Sequence, residues 1–177
     1  PMPLTDICDD QIEVLTKARG MKEAIARRLL AKPLYRAAAM VAAGQADAMV
    51  AGADSATKRV IEAASIAIGL DPKIKTPSSF FLMLFPDGRS FIFADCAVNV
   101  APSQEELVDI ACATAASAQG LLGAPRVALL SYSTADSGQG PSVDLTRGAA
   151  NALSDLGIDS FGPIQADAAL NQAIGAK

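Results

Sequence analysis

Val127-Ala-Leu-Leu130 is a short apolar run, set between Pro125-Arg126 and the hydroxyl-rich Ser131-Tyr-Ser-Thr134. A run of this length without polar alternation is expected of a strand buried on both faces. It gives way to a loop of hydroxyls and glycines, through Ser137, Gly138 and Gly140, and after Pro141 the spacing becomes helical. Strand, polar loop, helix is the unit from which α/β folds are built, and ligands there sit outside the carboxyl ends of parallel strands. The plainer alternative is an ordinary strand-to-helix connection.

The rest of the chain repeats that alternation. A short helix is expected over Asp10–Lys17, then helices over Met21–Leu30 and Leu34–Ala43, the latter stopped at Gly44. Ala48-Met-Val-Ala51 reads as a short buried strand, followed by a polar loop and a helix over Lys58–Gly69 with Val60, Ala64, Ala67 and Ile68 at helical spacing. Ser79–Phe85 and Ser90–Ala94 flank Pro86-Asp-Gly-Arg89, and Asp-Gly between two apolar runs signals a hairpin. Ser103-Gln-Glu-Glu106 has the spacing of a capping box and opens a helix to about Gln119. A helix over Val143–Leu156, a strand within Ile158–Gln165 and a helix from Asp167 complete the pattern. The expected fold is α/β: three layers, α/β/α, around a mostly parallel sheet that contains one antiparallel hairpin. Residues 1–16 read as an arm or the remnant of another domain, and 17–177 as one α/β domain truncated at its C-terminus.

Composition narrows the chemistry. The 177 residues are 51% apolar but only 5% aromatic, with no Trp, which suits helices packed closely on a sheet. Net charge is −4, which argues against non-specific nucleic-acid binding. The charge is unevenly spread: residues 1–60 hold nine Lys/Arg and seven Asp/Glu, residues 61–177 six and twelve. An anionic small molecule is therefore to be sought in the first third. The chain has no histidine, which removes imidazole bases, His-containing triads and His-ligated zinc. Cys8, Cys96 and Cys112 form no CxxC pair and read as structural thiols of a reducing compartment. No metal ligand set, P-loop or dinucleotide fingerprint is present. No run is apolar enough for a membrane span, and Pro1-Met-Pro-Leu4 is unlike a secretory leader. A cytoplasmic location is expected.

Four constellations could carry chemistry. Gly52-Ala-Asp-Ser-Ala-Thr-Lys-Arg59 runs a glycine- and hydroxyl-containing loop into a helix start, where N–H groups and the helix dipole favour an anion. Lys58 and Arg59 add charge, and guanidinium matches phosphate oxygens two by two. The alternative is a solvated first turn with Ser55 or Thr57 as N-cap. Lys17-Ala-Arg-Gly-Met-Lys22 places Arg19 beside a glycine turn, either near a phosphate or simply on the surface. Phe93-Ala-Asp-Cys-Ala-Val-Asn99 puts Asp95 and Asn99 where a strand ends; such groups more often tie loops together than react. Cys96 has no His or adjacent cation to activate it. Ser131, Ser133, Thr134 and Ser137 have no base nearby, so they are expected to hydrogen-bond a ligand or the loop itself and not to form a covalent intermediate.

Five segments in this order resemble the phosphate acetyl/butyryltransferase family, the phosphotransacetylases. They are Gly44-Gln-Ala-Asp-Ala-Met-Val-Ala-Gly-Ala53, Ser78-Ser-Phe-Phe-Leu-Met83, Phe93–Asn99, Ala128-Leu-Leu-Ser-Tyr-Ser-Thr134 and Gly162-Pro-Ile-Gln-Ala-Asp-Ala-Ala169. The resemblance implies reversible acetyl transfer between coenzyme A and phosphate, interconverting acetyl-CoA and acetyl phosphate, in a homodimer and without a cofactor beyond coenzyme A as substrate. It implies direct attack of the CoA thiolate on acetyl phosphate, with no acyl-enzyme. By motif position Arg19 resembles a family arginine at CoA or phosphate, and Thr57 and Arg59 resemble the Thr-x-Arg of the phosphoryl site, with Arg59 the catalytic candidate. Ser55, Ser131 and Ser133 complete the expected substrate-binding set. The loop between Gly52 and Thr57 is shorter than in many members. The family's C-terminal segment, with an Asp proposed as base and a Ser-Arg-Gly, has no counterpart in these residues. A non-catalytic module that binds acyl-CoA or acyl phosphate, or serves dimerisation, is the rival expectation.

Overall fold

A computed structural model describes residues 6–175, the Ala18 side chain excepted. The chain divides into two compact units, Pro1–Asp71 and Pro72–Lys177. This division falls elsewhere than the expected 16/17 boundary. Half of the segment read as an arm belongs to a helix whose Ile12 and Leu15 lie in the core of the first unit.

The first unit is helical: α1 (Asp9–Arg19), α2 (Glu23–Leu30), α3 (Pro33–Ala42) and α4 (Thr57–Ala67). Helix α1 carries acids in its first turn and bases in its last, the order the helix dipole favours. Gly20, with φ 59°, ends it in a left-handed conformation that glycine adopts without steric cost. Pro33 sits at the start of α3, where its missing N–H costs nothing. The core joins Ile12 and Leu15 of α1, Ala26 and Leu30 of α2, Tyr35, Ala38 and Ala39 of α3, and Ala63 and Ala67 of α4.

The expected strand at Ala48–Ala51 does not form. Those residues have no regular structure, and Val50 is fully exposed. A short apolar run becomes a strand only if another backbone edge takes up its N–H and C=O groups. Among the described residues, every ladder lies in the second unit.

That unit contains β1 (Phe80–Leu84), β2 (Ser90–Ala94), α5 (Gln104–Leu122), β3 (Val127–Leu130), α6 (Pro141–Asp155), β4 (Ser160–Ile164), α7 (Ala166–Leu170) and the single turn α8 (Gln172–Gly175). The fold is α/β, with the expected parallel pair and the expected hairpin, arranged as two separate two-stranded ladders. Strands β1 and β2 pair antiparallel from Phe80↔Ala94 to Leu84↔Ser90 around the Asp87-Gly88 turn. Strands β3 and β4 pair in parallel, with an irregularity between Ala128 and Leu130. The core of this unit places Leu129 of β3 against Ala111 of α5 and Ala149, Ala150 and Leu153 of α6. The capping box forms in full: Glu106 N donates to Ser103 Oγ at 3.2 Å, and Ser103 N donates to the Glu106 carboxylate at 2.8 Å. The last expected helix is divided at Asn171, whose backbone is extended.

Candidate functional site

The expected site residues fall in both units. Arg19, Ser55, Thr57 and Arg59 are in the first, Ser131 and Ser133 in the second.

In the first unit Thr57 is the first residue of α4 and Arg59 the third. The N-cap is Ala56, which offers no side-chain acceptor, and the first turn holds no acid. Neither Ser55 nor Thr57 caps the helix; the Ser55 hydroxyl instead donates to Asp54 Oδ1 at 3.2 Å. Thr57, Lys58 and Arg59 are all exposed. No described residue makes a hydrogen bond or ion pair with the Lys58 or Arg59 side chain. Two cations at the positive end of a helix, without an acid to offset them, are electrostatically unfavourable until an anion arrives. The Arg59 charge also acts on Tyr35. Burial raises the pKa of its hydroxyl, the hydrogen bond it makes with Glu62 and the charge of Glu62 raise it further, and the Arg59 charge opposes them.

Arg19 is exposed but engaged. Its guanidinium donates to the carbonyl of Ile66 at 3.2 Å and also to that of Ser65, both in the last turn of α4. A cation there satisfies carbonyls that the helix itself leaves open and complements the negative end of its dipole. In this structure Arg19 therefore closes one end of α4, and Arg59 stands at the other.

In the second unit the loop after β3 is saturated with its own hydrogen bonds. Ser133 is buried, with Oγ 3.0 Å from Ser137 Oγ, and Thr134 N donates to Ser137 Oγ at 3.1 Å. Ser131 Oγ accepts a long bond of 3.4 Å from Ser133 N. Of the two serines, only Ser131 keeps partial exposure. The Ser133 hydroxyl belongs to the loop. Three side chains outside the expected site set fix this loop. Tyr132 Oη donates to the Gln139 carbonyl at 2.6 Å, Gln165 Nε2 to the Tyr132 carbonyl at 2.7 Å, and Arg147 to the Ala135 carbonyl at 3.1 Å. The available signal was Tyr132 itself, the one large side chain in a run of small polar ones.

Asp95 is the other saturated group. Its carboxylate accepts from Ser79 N and Oγ at 3.0 and 2.7 Å, from Asn99 N and Nδ2 at 2.5 and 2.6 Å, and more weakly from Ala97 and Val98 N. Burial pushes its pKa up, but the Ser79 and Asn99 bonds outweigh this and hold it well below the usual carboxylate range. Asp95 ties the base of the hairpin to the following turn, the looping role expected of it. Cys96 is exposed, and Cys112 is pushed up in pKa by burial and then by the Asp109 charge. Among the described residues, no three His, Cys, Asp or Glu are placed to hold a metal ion.

Known proteins match this chain in sequence and in fold. The chain is 43% identical over 165 residues to the phosphate acetyltransferase of Nitrosomonas europaea, covering 91% of this chain and 23% of that protein. It is also 43% identical over 165 residues to the phosphate acetyltransferase of Treponema pallidum, covering 87% of this chain and 49% of that one. Among solved structures, the EutD phosphotransacetylase from Staphylococcus aureus superimposes with a TM-score of 0.82 at 27% identity, over 97% of this chain and 54% of that one. A phosphotransacetylase from Streptococcus pyogenes gives 0.81 at 30% identity with the same coverage. The chain thus spans between a quarter and about half of the length of these relatives. The model of the family described as "Phosphate acetyl/butaryl transferase" matches residues 2–177, and the chain belongs to that family.

Proposed function

We propose that this chain supplies phosphate- and CoA-binding elements of a phosphate acetyltransferase, which interconverts acetyl-CoA plus phosphate with CoA plus acetyl phosphate. The observation that carries the reading is the start of α4. There Thr57, Lys58 and Arg59 present an unneutralised, uncapped helix N-terminus in a chain of this family. In the direction of acetyl-CoA formation, the CoA thiolate attacks the acetyl carbon. A C–S bond forms, the C–O bond to phosphorus-bound oxygen breaks, and its electron pair leaves with phosphate. Arg59 is suited to hold that oxyanion in a charge-assisted, two-point contact, and Thr57 to hydrogen-bond it. Ser55 and Ser131 are further candidates for substrate contact. Arg19 reaches substrate only by leaving the α4 carbonyls, so its part is to position α4.

The thiol proton needs a base, and a chain with no histidine has no imidazole to provide it. The family resemblance assigns that task to an Asp on a segment without a counterpart here. The chain alone is therefore expected to bind phosphate but show little or no turnover when acetyl-CoA formation from acetyl phosphate and CoA is followed. Turnover at the level of full-length relatives would overturn this. We place the working protein in the cytoplasm as a homodimer; among the described residues no helix is long and apolar enough to cross a membrane. Sedimentation showing only monomer would remove the dimer from the proposal.

A further inference from the structure

A surface tyrosine ordinarily lays its ring on the protein and turns its hydroxyl to water. Tyr132 does the reverse. Its Oη is turned back to the Gln139 carbonyl at 2.6 Å, yet the residue is 63% exposed. What it offers to solvent is the ring. That ring is also held sideways: a β-carbon at Gly138 would lie 3.3 Å from Tyr132 Cε2 and 2.8 Å from Ser133 Oγ, so glycine is what allows the loop to close on it. The Gln165 amide fixes the Tyr132 carbonyl from the end of β4. A flat apolar surface is thus immobilised before anything binds, and a rigid aromatic loses little entropy on contact. It stands two residues past β3, at the carboxyl end of the parallel pair, where Leu130 pairs with Ile164.

The charges around it limit what part of a ligand the ring can receive. The Arg147 guanidinium is engaged by Asp136 and Asp144, each at 3.3 Å, and the Asp136 side chain is almost wholly exposed. Among the described residues, the one cation bonded to this loop is thus offset by two carboxylates, which favours a neutral planar ring there over a phosphate group. In coenzyme A that ring is adenine. We propose that Tyr132 is the stacking platform for the adenine of coenzyme A, an inference that rests on the phosphate acetyltransferase reading above.

The chain contains two tyrosines and no tryptophan, which allows a direct test. In the Tyr35→Phe variant Tyr132 is the remaining emitter, and adenosine 3′,5′-bisphosphate should quench its fluorescence saturably while pantetheine should not. By calorimetry, Tyr132→Leu should weaken binding of the bisphosphate about five- to hundredfold, the range for loss of one base–aromatic stack. Tyr132→Phe, which keeps the ring, should restore most of it. Absence of saturable quenching overturns the proposal, as does equal affinity in Tyr132→Leu. An equal loss in the Phe and Leu variants also overturns it, because the hydroxyl tether and not the ring would then matter. The enzyme reading fails separately: a protein that quenches as expected but, at full length, transfers no acetyl group keeps the platform and loses the reaction.

Discussion

The two units treat their polar groups in opposite ways. In the second, charge is spent on architecture: Asp95 accepts from four residues, Asp109 accepts the backbone N–H groups of Lys75 and Thr76, and Arg147 clasps the loop after β3. In the first, Arg19 is spent in the same way, but Lys58 and Arg59 stand together at a helix start with no partner among the described residues. A saturated group stabilises a fold and has little left to offer a ligand. An unsaturated one destabilises its own helix slightly and gains when an anion binds.

The largest expected effect tests the saturated side. Asp95→Ala should lower the stability of the second unit by about 3 kcal/mol in urea denaturation, since hydrogen bonds to an ionised group are the stronger ones. It should also change the pH dependence. A carboxyl held below its unfolded value, near 4, leaves the unfolded chain with the greater proton affinity. Its contribution is complete above that value and drains as pH falls toward the folded one. The variant should lose that acid-side slope; an unchanged slope would mean the carboxylate is not the clamp.

On the unsaturated side, Arg59→Ala should cost about 1.5–3 kcal/mol of phosphate or acetyl phosphate affinity, some ten- to hundredfold, with the melting temperature unmoved or slightly raised. A melting temperature that drops with unchanged phosphate binding would put Arg59 with the architectural charges. Arg19→Ala should do the opposite, lowering the stability of the first unit by about 1 kcal/mol through the open end of α4. Loss of phosphate binding with full stability would instead make Arg19 a ligand contact. Ser103→Ala gives a scale for a purely local device, at about 1 kcal/mol or less by thermal unfolding.

What the sequence disclosed was mainly short-range. The Ser103–Glu106 box and the Asp87-Gly88 turn each depend on residues within a few positions, and each was legible. The Ala48–Ala51 strand was misread because pairing is a property of two segments, and an apolar run does not reveal whether a second edge exists. Arg19 lies 47 residues from Ile66 in the chain, so its use as a helix cap left no local trace. Of the hydroxyls after β3, spacing could not tell Ser133, which closes the loop, from Ser131, which keeps partial exposure. The start of α4 was legible as a helix start carrying Lys58 and Arg59 because that signal is itself local.

The core of the first unit is lined with alanine: Ala26, Ala38, Ala39 and Ala63 are wholly buried, and Ala67 almost so. This gives the unit a lopsided tolerance to genetic drift. Trimming such a site to glycine removes one methyl group and costs about 1 kcal/mol, mostly as helix propensity. Enlarging it to valine or leucine adds volume at a position already closed to solvent, at about 1–3 kcal/mol where it overpacks. Sequence change at these five positions is therefore expected to run one way. The unit can lose a methyl group more easily than it can gain several, and a variant library should be depleted there in large residues before small ones.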